Sequence, residues 1–86
     1  MTWQIDFTSA AARQVKKLPR PVRVKIVDAI EALAVDPRPR GARKLVGEDD
    51  AWRIRVGDYR VIYDVVDSTL TVTVVRAAHR REVYDR

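Results

Sequence analysis

Residues 52–63, WRIRVGDYRVIY, constrain the fold more than any other part of the sequence, because their pattern predicts a β-hairpin. Apolar and polar side chains alternate on both sides of Gly57-Asp58, and a glycine-led pair suits a tight two-residue turn. Such a turn fixes the register and places Arg55 opposite Arg60. Since side chains alternate between the two faces of a strand, one face of the hairpin is predicted to be apolar. That face carries Trp52, Ile54, Val56, Tyr59, Val61 and Tyr63.

The other face of the predicted hairpin is basic and carries Arg53, Arg55, Arg60 and Ile62. Directly opposed like charges destabilise a sheet, so Arg55 opposite Arg60 indicates that an anion lies between them in the functional state. Guanidinium groups bind phosphate bidentately and can stabilise charge that develops on a phosphorus centre. The alternative is a solvated polar face on which Asp64 neutralises Arg53 diagonally.

Composition predicts one small domain over residues 1–86, since a chain of 86 residues can build one core but not two. The formal net charge is +5, the isoelectric point is about 10.1, and arginine outnumbers lysine. This balance favours nucleic acid or an acidic protein as a partner, with an ordinary solvated surface as the alternative. We expect a cytosolic protein with no membrane association, because no apolar run approaches the roughly 20 residues of a membrane span.

Two helices are predicted in the first half of the chain. The first covers residues 10–18, with Thr8 or Ser9 as its N-cap. The second has Pro21 in its first turn and ends at Asp36-Pro37, because the residue before a proline avoids helical geometry. The apolar residues expected to face the sheet are Ala11, Val15 and Leu18 in the first helix, and Val22, Ile26, Ile30 and Leu33 in the second.

Strands are predicted at the start of the chain, where residues 3–7 alternate, and after the hairpin over residues 70–76. A short extended piece is expected over residues 43–46 within the irregular stretch 38–51. The fold class is therefore α+β, with an N-terminal strand and two helices packed on an antiparallel meander sheet. One sheet face is expected to pack against the helices while the other carries the arginines.

The second turn of the meander is expected at Asp67-Ser68. If it also has two residues, the paired positions are Val65 with Leu70, Tyr63 with Val72, Val61 with Val74, and Arg60 with Val75. The apolar faces of the two hairpins then agree, which supports the meander.

Proton transfer needs groups other than arginine, since a guanidinium stays charged in proteins. The candidates are Lys44, His79, Glu82 and Tyr84. His79 is the only histidine, its ordinary pKa lies near neutrality, and the predicted register places its segment next to the basic face. A structural role for His79 is the alternative. Tyr84 could stack on a base or anchor the tail against the sheet.

Outlying basic residues could contact an RNA backbone, namely Lys16, Lys17, Lys44 and Arg81. For the two helical lysines, favourable interaction with the helix C-terminus is a sufficient structural explanation. With a single histidine and no cysteine, the sequence offers no metal-ligand set, glycine-rich phosphate loop or nucleophile elbow, so no metal or cofactor is expected.

Several short motifs together resemble the RelE branch of the RelE/ParE toxin superfamily. They are Arg-Lys-Leu at 43–45, Trp-Arg-Ile-Arg at 52–55, Gly-Asp-Tyr-Arg-Val-Ile-Tyr at 57–63 and His-Arg-Arg-Glu-Val-Tyr at 79–84. Each motif is loose on its own, but their order and spacing span essentially the whole chain. The resemblance implies a fold similar to small microbial ribonucleases. It also implies the toxin of a type II toxin–antitoxin system, with a RelB-like antitoxin as its partner.

The activity implied by the resemblance is ribosome-dependent cleavage of mRNA without a metal ion. The 2′-OH attacks the adjacent phosphate, which confines the reaction to RNA. By position, Arg53 and Arg55 match a basic pair that is lysine in well-known members, Arg60 matches a phosphate-binding arginine, and Tyr84 matches a tyrosine that stacks on the nucleotide. The family's arginine at the leaving group falls on Arg80, with His79 and Arg81 as alternatives.

Because arginines replace the lysine pair, we expect either that His79 transfers the proton or that a positioned 2′-OH needs little help. Two other functions are open at this stage. One is a ParE-like protein that poisons DNA gyrase by binding, and the other is a degenerate toxin that serves only as its antitoxin's partner. The basic face and the terminal Glu-Val-Tyr favour the ribonuclease.

Overall fold

The structure is a computed structural model that describes residues 2–47, 50–79 and 81. Its elements follow the order β1 (Gln4–Phe7), α1 (Ser9–Lys17), α2 (Arg20–Ala32), β2 (Arg43–Lys44), β3 (Ala51–Val56), β4 (Tyr59–Val66) and β5 (Thr71–His79). The strands form one five-stranded sheet in the order β1-β5-β4-β3-β2. The predicted α+β class and the meander are confirmed, and β1 joins the sheet as a parallel neighbour of β5.

Both predicted helices are present, and local signals explain their ends. The Thr8 hydroxyl accepts a hydrogen bond of 3.1 Å from the Ala11 N–H and caps α1. Pro21 lies in the first turn of α2, as predicted. The second helix ends at Ala32 and does not reach Asp36. After Ala32, backbone hydrogen bonds to the third preceding residue replace the α-helical pattern, such as the 3.0 Å bond from the Ala34 N–H to the Glu31 C=O.

The core lies between the helices and one face of the sheet. The predicted helix stripes are confirmed, since Ala11, Val15, Ile26, Ile30 and Leu33 are buried and Leu18 and Val22 pack against them. The sheet contributes Ile54, Val61, Tyr63, Val65, Val72, Val74 and Ala77. Trp52, Val56 and Tyr59 pack at the edge of this cluster. The apolar face predicted for the hairpin is therefore the face that the helices cover.

The first hairpin has the predicted register. Val56 pairs with Tyr59, Arg55 with Arg60, Ile54 with Val61, and Trp52 with Tyr63. Gly57 adopts a φ of 62°, the left-handed value that a type II′ turn requires at its first central residue. This turn sets which side chains face the helices and which face away.

The register predicted for the second hairpin is wrong by two residues. Val65 pairs with Val72 and Tyr63 with Val74, because the connection occupies residues 67–70 and not two residues. A 3-10 turn spans Asp67–Thr69, and Leu70 follows in the left-handed region with a φ of 51°. The Arg38 guanidinium holds the turn through a 2.8 Å ion pair with the Asp67 carboxylate. A register shift of two residues leaves every side chain on the same face of the sheet, so the apolar pattern could not reveal the error.

A bulge in β5 produces a second departure from the predicted register. Pairing shifts between Ile62 and Tyr63, so that Ile62 pairs with Arg76 and Val75 is the extra residue. Arg60 consequently pairs with Ala78 and not with Val75. The strand also continues to His79, beyond the predicted end at residue 76, whereas β2 stops at Lys44 and does not reach residue 46.

Within the part of the chain that the structure describes, no helix has the length and apolar character needed to cross a membrane.

Tyr63 is the largest fully buried side chain and carries a polar group into the core. Its hydroxyl donates a 2.8 Å hydrogen bond to the Pro37 carbonyl, which ties the loop after α2 to the sheet. Burial raises the pKa of Tyr63 to about 12 and outweighs the opposing effect of the Arg38 charge.

We expect Tyr63→Phe to lower the free energy of unfolding at pH 8 by about 1 kcal/mol, since it removes this bond and leaves the carbonyl unpaired. Urea denaturation followed by circular dichroism measures the change, with Tyr59→Phe as the control at a half-buried position.

Between the unfolded pKa near 10 and the folded pKa of about 12, Tyr63 ionises only in the unfolded state, so wild-type stability falls as the pH rises. The difference between the two proteins should shrink from pH 9 to pH 12. A difference that stays constant over this range would contradict the assignment.

Candidate nucleic-acid interface

Four neighbouring arginines converge on the sheet face that the helices leave uncovered, and Arg76 on β5, paired with Ile62, lies on the same face. Arg53 and Arg55 come from β3, Arg60 lies opposite Arg55 on β4, and Arg43 lies opposite Arg53 on β2. Paired residues of an antiparallel sheet point to the same side, so all four belong to one face. We call these four residues the arginine cluster.

Arg53 lies at the centre of this cluster. Arg43 is directly opposite it, Arg55 is two positions along the same strand, and Arg60 is its diagonal neighbour across β4. Burial lowers the pKa of Arg53, and the charges of Arg60, Arg43 and Arg55 lower it further. The charges that lower the pKa of Arg53 are therefore those of its three arginine neighbours, as expected for the centre of the cluster.

The inner members of the cluster have buried donors. Arg53 and Arg60 are half-buried, whereas Arg43 and Arg55 are exposed. The Nε atoms of Arg53 and Arg60 are buried and have no hydrogen-bond partner among residues 2–47, 50–79 and 81. Because an unpaired buried donor costs free energy, these two atoms indicate the place of an anionic acceptor.

A cluster of this kind can bind phosphate but cannot move protons. Guanidiniums offer paired N–H donors that match the non-bridging oxygens of a phosphodiester. In a partly desolvated site their charge is also worth more than in water, both for binding and for stabilising a transition state. The lowered pKa of Arg53 does not change this, because arginine remains protonated in proteins.

The sequence analysis missed Arg43 as a member of the cluster. Its strand has only two residues and gives no periodic signal of its own. Lys44, which was predicted to bind RNA, pairs with Trp52 and therefore belongs to the helix-covered face. Only the register of β2 on β3 shows which of the two adjacent basic residues, Arg43 or Lys44, lies opposite Arg53.

The structure places His79 on the other side of the sheet from the arginine cluster. It pairs with Tyr59, and the two rings make an edge-to-face contact with centroids 5.3 Å apart. The His79 Nδ1 atom accepts a 3.2 Å hydrogen bond from the Arg81 N–H. Its segment lies next to the cluster, as predicted, but its ring does not face the guanidiniums.

Lys16 and Lys17, which were predicted to contact RNA, lie apart from the cluster on the helix-covered side of the sheet. Lys16 and Lys17 are exposed in the last turn of α1, where the Arg23 guanidinium also donates to the Lys16 carbonyl at 3.3 Å. Arg81 is exposed two residues beyond the end of β5. Arg80, Glu82 and Tyr84 lie outside the described residues.

The fold and the cluster define the class of protein. A mixed five-stranded sheet with two helices on one face and four guanidiniums on the other defines a small α+β domain with a basic sheet face. Residues 5–84 match the sequence model of the family described as "ParE toxin of type II toxin-antitoxin system, parDE". The chain belongs to this RelE/ParE superfamily of toxins, which confirms the resemblance seen in the sequence.

Named relatives and a solved structure support the membership over the full length. The chain is 33% identical to Toxin RelG of Mycobacterium tuberculosis over 90 residues, covering 100% of both proteins. It is 31% identical to the mRNA interferase toxin RelE of Escherichia coli, covering 98% of this chain and 92% of that protein. The toxin–antitoxin complex RelBE2 from M. tuberculosis superposes with a TM-score of 0.82 at 28% identity, covering 95% of each chain.

We expect the arginine cluster to reduce the stability of the free protein. Replacing Arg55 by Gln removes the directly opposed charge and should raise the free energy of unfolding by about 0.5 kcal/mol at low salt. The gain should shrink in 0.5 M NaCl, because salt screens exposed charges. Urea denaturation at both salt concentrations measures it. Arg40→Gln is the matched control, since Arg40 is exposed in the loop before β2. An Arg55→Gln protein that is less stable than the control at low salt would contradict the prediction.

Proposed function

We propose that this protein is the toxin of a type II toxin–antitoxin system and that it acts as an endoribonuclease on mRNA in the ribosome. The observation that carries the proposal is the arginine cluster, in which the buried Nε donors of Arg53 and Arg60 have no partner among the residues that the structure describes. A relative at 31% identity is named an mRNA interferase, which points to the same substrate. The site of action would be the cytoplasm, where translation takes place.

The reaction we propose is an internal transesterification of RNA. The 2′-oxygen of one nucleotide attacks the adjacent phosphorus, a new P–O bond forms, and the bond from phosphorus to the 5′-oxygen breaks. The 2′-OH loses a proton and the departing 5′-oxygen gains one, so the products are a 2′,3′-cyclic phosphate and a 5′-OH. No water is consumed, and DNA is excluded because it lacks the nucleophile.

In this proposal Arg53 and Arg60 hold the non-bridging oxygens of the scissile phosphate, and Arg55 supports them from β3. Negative charge on these oxygens increases as the phosphorus becomes pentacoordinate. Fixed guanidiniums therefore bind the transition state more tightly than the substrate, which is the condition for catalysis. The resemblance places Arg80 at the leaving group, where its charge would stabilise the departing 5′-oxygen, and assigns base stacking to Tyr84, and both assignments are part of the proposal.

We further propose that a RelB-like antitoxin inactivates the toxin by covering its basic surfaces. The relative of known structure is a toxin–antitoxin complex, and this chain matches it over 95% of its length. A net charge of +5 favours an acidic partner segment, and it also favours ribosome binding that weakens as salt rises.

The test is to map mRNA 5′ ends after brief induction of the toxin in cells. We expect new ends with 5′-OH groups inside translated codons. Arg60→Gln should reduce their yield about 100-fold or more, since it removes a donor that stabilises transition-state charge. Arg40→Gln should cut like the wild type.

Three results would contradict this proposal. Induction of an SOS response with intact mRNA would identify a ParE-like gyrase poison. Intact mRNA without any growth defect would identify a degenerate toxin that only binds its antitoxin. Undiminished cleavage by Arg60→Gln would show that the reaction takes place elsewhere on the protein.

His79 has a separate role in the proposal, as a positioning residue. Its ring faces away from the cluster, but its Nδ1 atom holds the Arg81 N–H and so directs the start of the segment that follows β5. We expect His79→Ala to slow ribosome-dependent cleavage about tenfold, and His79→Asn, whose side-chain oxygen can accept the same bond, to restore most of the rate.

The pH profile separates positioning from proton transfer at His79. If His79 only positions the chain, the His79→Asn enzyme keeps the wild-type dependence of rate on pH between 5.5 and 8. A rate limb near the ordinary histidine pKa that disappears in His79→Asn would identify His79 as a proton-transfer group. An unchanged rate in His79→Ala would exclude both roles.

A further inference from the structure

Arg43 extends the arginine cluster beyond the hairpin. It lies on β2, directly opposite Arg53, whereas Arg60 lies on β4. Adjacent strands are about 4.8 Å apart, so the strands of Arg43 and Arg60 are about 10 Å apart across the sheet. The cluster is therefore a row of positive charge that crosses three strands, and not a single point.

One phosphodiester cannot satisfy such a row. It has two non-bridging oxygens and a single negative charge, and two bidentate guanidiniums already occupy these oxygens. Arg53 and Arg60 are the pair best suited to this, because their buried Nε atoms lack partners within the described residues. The exposed guanidinium of Arg43 lies on the other side of Arg53, where no oxygen of this phosphodiester is available to it.

A structural role does not account for Arg43 either. It adds a like charge directly opposite Arg53, and its charge contributes to the lowered pKa of Arg53. Such a pair is unfavourable in the free sheet. The two arginines become compatible when a second anion lies beside the first.

We propose that Arg43 and Arg53 form a second phosphate subsite next to the one held by Arg53 and Arg60, so that the protein binds two consecutive phosphodiesters of single-stranded RNA. This inference rests on the proposed function and specifies it. The minimal ligand is a trinucleotide, and Arg43 selects for the phosphate that flanks the scissile one.

Two uncleavable probes test the subsite on the full-length protein. One is a 2′-O-methyl dinucleotide with a single phosphodiester, and the other is a 2′-O-methyl trinucleotide with two, both without terminal phosphates. The 2′-O-methyl group removes the nucleophile, so that binding alone is measured. Titrations are followed through the arginine Nε–Hε signals in ¹⁵N NMR spectra, which report on Arg53 and Arg60 directly.

We expect Arg43→Gln to weaken trinucleotide binding about five- to tenfold and to leave dinucleotide binding unchanged. The slope of log affinity against log salt for the trinucleotide should fall by about 0.7, the value for one lost contact to a single strand. Arg60→Gln should weaken the binding of both probes. Arg40→Gln, the matched charge change outside the sheet, should affect neither beyond a small uniform loss.

Equal effects of Arg43→Gln and Arg40→Gln on the trinucleotide would overturn the subsite. So would an equal loss for both probes in Arg43→Gln, because Arg43 would then act on the first phosphate. A wild-type protein that binds neither probe would also overturn it. The proposed function is contradicted by a separate result, namely that induction produces no cuts in mRNA. If the protein then still binds both probes as expected, the subsite is retained and only the activity is rejected.

Discussion

The two-residue turn at Gly57-Asp58 is the constraint on which the rest of the molecule depends. Side chains of a strand alternate between faces, so a slip of one residue at this turn would exchange the two faces of the hairpin. With the observed register, Ile54, Val61 and Tyr63 enter the core. The same register sends the arginines to the uncovered face. The core and the candidate site are therefore two consequences of one backbone geometry.

The uncovered face is kept at an energetic cost that the core must offset. A sheet selected only for stability would not place Arg55 opposite Arg60 and Arg43 opposite Arg53. Nor would it bury two guanidinium Nε atoms that have no partner in the described part of the chain. Sites that bind or transform a ligand commonly carry such unfavourable arrangements, and the ligand relieves them. These unfavourable features fit the proposed phosphate site better than they fit an ordinary solvent-exposed surface.

The parts of the fold that were predictable depend on local signals. The Thr8 cap, Pro21, the helix stripes and the glycine-led turn each act within a few residues, and each is confirmed. The second hairpin was not predictable in register, because a shift of two residues leaves the apolar pattern unchanged. The left-handed Leu70 and the bulge at Val75 carry no glycine or other marker.

The candidate site shows the same division. Arg53, Arg55 and Arg60 share a face because a single turn relates them, and the sequence was enough to find them. Arg43 joins them through a two-residue strand whose pairing depends on tertiary contacts. The bulge at Val75 places His79 on the opposite face of the sheet from the arginines, whereas the longer connection changes its partner on β4 without changing its face. Errors in the site therefore follow from errors in long-range register, and not from the choice of residue types.

In the resemblance to RelE-type toxins, Arg53 and Arg55 stand at the positions of a lysine pair, which limits how the proposed site can work. A lysine beside other cations can lose its proton near neutral pH, whereas an arginine remains charged there even when its pKa is lowered. The cluster therefore provides the same electrostatic stabilisation at every physiological pH, with no titrating step of its own. In the proposed reaction, any pH dependence of cleavage would then arise from the RNA, from the ribosome or from side chains beyond the cluster. The proposed arginine cluster would thus bind phosphate equally well across the physiological pH range but would transfer no proton. This arrangement is expected when the reacting 2′-OH is already aligned by a bound substrate.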